Sequence, residues 1–189
     1  MANWATTSYR IEGSQNDLQE LYGLIRAFCI GERNVMTDKA SKDWEGNVVL
    51  ALGEEIGKNY VRGFIQYYEL HENVLYIEAE EAWNATDFRH VLEKHYEGMR
   101  VYYIVEEPGC EVYATNDENG MYFDYRYLVD FSVNGINYWE YFRTEDDALD
   151  YIASKLQIES ISVEDIEKWK VDHEDSEDYI GLHKFEIVE

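Results

Sequence analysis

This chain is short of proline, cysteine and positive charge. Its 189 residues hold one proline, two cysteines and 16 lysines and arginines against 40 acids. Cys29 and Cys110 alone cannot build a disulfide framework, so a reduced, cytoplasmic setting is expected. Nor can they supply the four thiolates of an iron–sulfur cluster. No apolar run reaches about 18 residues, so no membrane-spanning helix is expected. The opening Met-Ala-Asn-Trp-Ala-Thr-Thr lacks a basic end followed by an apolar block, and no secretory leader is read there. The shortage of bases leaves a formal net charge of −24. Such a surface repels phosphate backbones and anionic lipid, which argues against direct nucleic-acid binding and membrane attachment. Gly-x-x-x-x-Gly-Lys, Gly-x-Ser-x-Gly and His-Glu-x-x-His are all missing. No catalytic residue, metal or cofactor is therefore expected.

What the chain does have is aromatic and acidic. Apolar residues make up 46% and aromatics 15%, with 17 tyrosines, enough to bury a core rich in sheet. The acidity is uneven. Residues 1–60 carry 9 acids and 6 bases, and residues 61–143 carry 16 and 6. Residues 144–189 carry 15 acids and only 4 bases.

Periodicity predicts the elements. Ala5, Thr7, Tyr9 and Ile11 alternate on one face of a strand. Ser14 then caps a helix over 15–29, with Leu18, Leu21, Ile25 and Phe28 as its stripe. Residues 30–60 read as a long excursion with one short strand at 48–51. A hairpin follows, "RGFIQYYEL" and "VLYIEAEEAW". Thr86 then caps a helix with Phe88, Val91, Leu92 and Tyr96 buried, and Gly98 stops it. The strands "MRVYYIVEE" and "CEVYAT" flank Pro108-Gly109. The order is β-α-β-β-α-β, a ferredoxin-like core on an antiparallel sheet with both helices on one side. Tyr9, Ile77 and Ile104 are expected in one core. Beyond it, Asn134-Gly135 predicts a second hairpin, and Thr144 and Ser162 cap two C-terminal helices. A closing strand over 182–188 alternates Leu182, Lys184, Glu186 and Val188 against His183, Phe185 and Ile187. Trp83, Trp139 and Trp169 are expected as buried anchors. The fold class is thus α+β. Residues 1–115 form the core with an insertion at about 30–60, and residues 116–189 form an acidic hairpin, helix and strand extension packed on the same domain.

Two stretches, "MANWATTSYRIEGSQNDLQEL" and "EAWNATDFRHVLEKHYEGMRVYYIVEEPGCEV", carry a resemblance. They resemble the YubB-type family of ferredoxin-like domains in the Met-x-Asn-Trp opening, the Glu-Gly turn, the Ala-Trp strand end and the Tyr-Tyr strand. The resemblance covers roughly residues 1–28 and 76–113. Asn84-Ala85-Thr86 stand where that family has prolines. Its members are carried by plasmids, phages and other mobile elements and have no known function. The resemblance therefore implies a fold and a genetic setting, but no site residue.

The remaining constellations favour turns and solvated surface. Glu106 and Glu107 beside Cys110 could serve as acid, base and nucleophile. No histidine lies near in sequence, however, and flanking carboxylates raise a thiol pKa, so the Pro-Gly segment reads as a corner. His90 and His95 are five apart, where metal pairs on a helix want three or four. "NDENG" and "DHEDSED" lack the ligand spacing of a calcium loop.

Three functional expectations remain. One is a non-enzymatic accessory protein of a mobile element that acts on an unidentified protein partner. In its sharper form it imitates DNA through an acidic surface of Glu145, Asp146, Asp147, Asp150, Asp172, Glu174, Asp175, Glu177 and Asp178. Another is a small-ligand binder or enzyme with a pocket between the excursion and the sheet, lined by Glu54, Glu55, Glu80 and Glu81 and containing a carboxylate of raised pKa. The third is a structural module that pairs edge strands into a homodimer.

Overall fold

A computed structural model describes residues 3–173 and 176–188. Among them, strands and helices alternate as β1 (Trp4–Glu12), α1 (Gln15–Cys29), α2 (Glu45–Ala51), β2 (Gly63–His71), β3 (Val74–Ala82), α3 (Phe88–His95), β4 (Arg100–Glu107) and β5 (Val112–Thr115). There follow β6 (Tyr127–Val133), β7 (Ile136–Phe142), α4 (Glu145–Leu156), α5 (Val163–Asp172), β8 (Tyr179–Lys184) and β9 (Glu186–Ile187). The protein is α+β, and strands β1 to β8 pair antiparallel. It divides into two compact units, Met1–Asp117 and Glu118–Glu189.

In the first unit the strands run β2-β3-β1-β4-β5. β1 has a partner on each side. Tyr9 faces Ile77 of β3 and Tyr103 of β4, and Ile11 faces Leu75 and Val101. Alternation then buries Ala5, Thr7, Tyr9 and Ile11 together. Onto this face α1 brings Leu18, Leu21, Ile25 and Phe28, and α3 brings Phe88, Val91 and Leu92. The Phe88 ring meets Tyr9 edge-on at 6.2 Å. Each such side chain, once buried, stabilises by about 1.5–3 kcal/mol. Ser14 caps α1 by accepting from Asp17 N at 3.2 Å, and Gly98 takes φ +78 after α3.

Four sequence expectations need correction. Residues 48–51 belong to a helix, α2, and not to a strand. Val48 and Val49 are β-branched, which reads as strand. In a helix, however, they join Glu45 at i+3 and i+4 as one buried face. Ile104 is buried, but it pairs with Ser8 and so stands on the opposite side of the sheet from Tyr9 and Ile77. Trp83 and Trp139 are each 50% exposed, and Trp169 is half-buried. Trp83 sits at φ +59 just past β3 with Arg62 over its ring, and Trp139 stands on β7, an edge strand. Finally, the closing strand is broken. Phe185 leaves the ladder, buries its ring and donates its N–H to Arg126 O at 2.9 Å.

In the second unit β6 lies between β7 and β8. Val129 and Phe131 of β6, Ala148 and Ile152 of α4, Ile166 of α5 and Ile180 of β8 make its core. Thr144 caps α4, and Ser162 with Asp165 forms a reciprocal capping box on α5. The β6–β7 turn holds Asn134 at φ +54 and Gly135 at φ +73, the left-handed pair a two-residue hairpin requires. Gly135→Ala places a Cβ in that region and should lower the unfolding free energy by about 1–2 kcal/mol in urea titration. A variant as stable as the parent would contradict this turn geometry.

Candidate functional site

Register alone places an acid in the core. Glu81 of β3 pairs with Ala5 of β1 on one side and with Gly63 of β2 on the other, so it shares the buried face of Tyr9. Glu45, the first residue of α2, reaches the same point from the excursion. Glu45 and Glu81 both have 0% exposure. The room comes from Gly63, where a Cβ would lie 2.2 Å from Glu45 Oε2 and 2.4 Å from its Cδ. Glycine inside a strand marks such a close approach.

The hydrogen bonds assign the charge. Tyr9 OH donates to Glu81 Oε1 at 2.7 Å, and Thr86 N donates to the same oxygen at 3.2 Å. Thr86 Oγ1 lies 2.8 Å from Glu81 Oε1 and 2.9 Å from Glu45 Oε2 while accepting from Phe88 N at 3.2 Å. A hydroxyl has one proton to give. Tyr9 OH and Thr86 N donate to Glu81 Oε1 alone, whereas Glu45 has only the Thr86 hydroxyl, which it shares with Glu81, so Glu45 is the acid that keeps a proton. Burial first, then the Glu81 charge and its hydrogen bond, hold Glu45 well above the ordinary carboxyl value, while the Thr86 hydroxyl pulls the other way. Burial and the same two carboxyls likewise push the Tyr9 phenol well above its usual range. Glu45 Oε1 and Glu81 Oε2 are buried with no hydrogen-bond partner among the described residues. Chemically this is a carboxyl dyad sealed from water, with Glu45 the member whose proton is held.

The four carboxylates expected to line a pocket are not brought together. Glu54 pairs with Lys94 at 2.7 Å and Glu55 with Lys58 at 3.1 Å. Glu80 is exposed and accepts from Gln66 at 3.4 Å. Only Glu81 is buried with another acid, Glu45, which the sequence reading passed over. The glycine at 63 opposite an acid was the one available clue.

The acidic surface residues are placed as follows. Glu145, Asp146, Asp147 and Asp150 are exposed on α4, Asp172 is exposed at the end of α5, and Glu177 is exposed beyond it. Asp178 is half-buried and accepts from Asn134 N at 3.0 Å. Glu174 and Asp175 lie outside the described residues. The first-turn acids of α4 also suit the positive end of that helix, and Asp147 accepts from Thr144 Oγ1 at 2.6 Å.

At the Pro108-Gly109-Cys110 corner a single tight turn joins β4 to β5, with Glu111 at φ +54. The Cys110 thiol is exposed and meets the Asn3 amide at 2.9 Å, which supplies no base. Burial, with Asp43 nearby, raises Cys29 to about 11, so that thiol stays protonated at neutral pH. In the second unit His183 Nε2 lies 2.9 Å from Asp130 Oδ1, a pair the sequence pattern did not single out. Among the described residues no three His, Cys, Asp or Glu side chains gather as a metal site, and no helix is long and apolar enough to cross a membrane. No family model, curated protein or solved structure matches this chain.

Two outcomes follow from the dyad. The folded state holds the Glu45 proton more tightly than the unfolded chain does. Its contribution to stability is therefore complete below about pH 4.5, the ordinary value, and declines as pH rises through the folded-state value. Glu45→Gln should remove this decline, up to about 1.4 kcal/mol per pH unit, from stability measured between pH 4.5 and 8. Parallel stability curves for the two proteins would refute the assignment. Gly63→Ala should cost about 1–3 kcal/mol through overpacking. In a Glu45→Ala background the same change should cost less than half as much, as a double-mutant cycle would reveal.

Proposed function

We propose that this chain is a non-enzymatic accessory protein of a mobile genetic element, working through a protein partner by presenting carboxylates in place of DNA phosphates. The observation that carries the reading is the solvent face of α4. Glu145, Asp146, Asp147 and Asp150 are exposed there. At a rise of about 1.5 Å per residue they span about 7.5 Å of axis. That is an axial spacing of roughly 2.5 Å per charge, of the same order as the one per about 1.7 Å of duplex DNA. The surrounding 72 residues, 118–189, hold 19 acids and 6 bases, so the local field is negative and suits a basic, DNA-binding face.

The genetic setting rests on the YubB-type resemblance. The finer fold reading rests on strand order. A ferredoxin-like domain has two β-α-β halves interleaved in one sheet, and β2-β3-β1-β4, with α1 and α3 as connections, supports it. Self-association is a second reading, favoured by β7. That strand is an edge, and Ile136 and Trp139 on it are half exposed. Light scattering separates a dimer from a monomer.

The main reading is tested by competition. Purified DNA-binding enzymes, restriction and RNA-guided nucleases among them, are loaded with labelled duplex and challenged with this protein at 50 and 300 mM salt. The expected outcome is displacement from at least one enzyme at low salt, lost at high salt. The Glu145→Gln, Asp146→Asn, Asp147→Asn, Asp150→Asn variant should bind at least tenfold more weakly. Failure to displace DNA from any of them at 50 mM salt would sink the mimicry.

A further inference from the structure

The excursion makes an open cleft of about 460 Å³ against the edge strand β2, within the range of small-ligand sites. One wall is aromatic and fixed. Trp44 donates Nε1–H to Val61 O at 3.0 Å, and its ring packs where a Cβ on residue 46 would lie 2.1 Å away, so Gly46 admits it. Phe64 stands beside it, bridged to Trp44 through the backbone and 5.8 Å from the half-exposed Trp4 ring. The other wall is polar, with Thr37, Asp38, Lys39 and Ser41.

That polar wall is tied down from beneath. Asn47, with 0% exposure, accepts from Met36 N at 3.0 Å and donates to Ser41 O at 2.7 Å. Asp43 O accepts from Ile65 N at 2.8 Å, which fastens the loop to β2. Ala40 N bonds Thr37 O at 3.2 Å, closing a turn whose third residue is Lys39 at φ +76. Glycine is the residue such a position ordinarily takes, because a Cβ there is strained. Glu72, Glu111 and Gln157 share that conformation, and what distinguishes Lys39 is its place on the wall of the cleft. Lys39 is exposed and has no ion-pair partner among the described residues, in a protein with 24 excess negative charges.

We infer that this cleft binds a planar nitrogen heterocycle carrying one anionic group. The ring lies against Trp44 and Phe64, where stacking contributes about 1–3 kcal/mol. The anion meets Lys39, and Asp38, Thr37 and Ser41 accept from ring or ribose donors. A mononucleotide and an indole acid share this chemistry. Binding here does not depend on the acidic face of α4.

The experiment titrates the protein with nucleoside 5′-monophosphates and with indole-3-acetate, following the Trp44 indole N–H by NMR. Neutral nucleosides and indole serve as controls. Saturable binding below about 1 mM is expected for one anionic class, and which class answers identifies the source. Lys39→Gly is the decisive variant, because it relieves the strained φ while removing the cation. It should raise thermal stability, weaken the anionic ligand about tenfold, as loss of a charge-assisted bond does, and leave the neutral control unchanged. No saturable shift with any probe to 10 mM, or equal affinity of parent and Lys39→Gly for the anion, would overturn the inference.

Discussion

A strand with a hydrogen-bonded neighbour on each side, and helices across one face, must bury every second side chain. β1 is that strand, and the first unit is arranged around it. Thr7, Tyr9 and Ile11 sit opposite Ala79, Ile77 and Leu75 on one flank and Val105, Tyr103 and Val101 on the other. A slip of one residue would turn all of them outward and bring Ser8 and Arg10 into the core. Most of that face is apolar and needs nothing further. Where it reaches the end of the sheet, the same register carries Glu81 inward.

An isolated buried carboxylate is costly, and here two of them meet. The cost is offset by confining the pair to one negative charge, since a second would have to be held in a medium that screens it poorly. Tyr9, Thr86 and the Thr86 amide supply donors from β1 and from the segment entering α3. The first residue of α2 supplies the proton. The dyad thereby joins the excursion to the sheet through a polar contact with one satisfied arrangement, a specificity that apolar packing supplies less sharply. With Asn47 and Trp44, it gives residues 36–52 a defined shape without a strand of their own, and that shape makes the cleft over β2.

The second unit solves the opposite problem. Its core is small, a sheet face closed by α4 and α5, and its charge points outward. Carboxylates in the first turns of α4 and α5 agree with the helix dipoles, and Asp165 is held below its usual range by Ser162 and then Lys168. Local stability and a strongly negative surface are therefore compatible there. Asp172, at the unfavourable end of α5, has no such local justification.

How far the protein could be read from its residues differs by element. Strands and helices with a repeated period were legible. The boundaries of α1, the stripe of α3 and the Asn-Gly hairpin follow from local chemistry, as does the Pro-Gly corner, because spacing and φ preference act within a few residues. The antiparallel α+β class follows from the order of those elements. Tertiary packing alone decided that Val48 and Val49 join a helix, that Trp83 and Trp139 remain half exposed, and that Glu81 pairs with Glu45 and not with Glu54, Glu55 or Glu80. The physical reason is the same in each case. Burial and protonation depend on which distant residue lies opposite, a glycine at 63 or a threonine at 86, and no period along the chain encodes that distance.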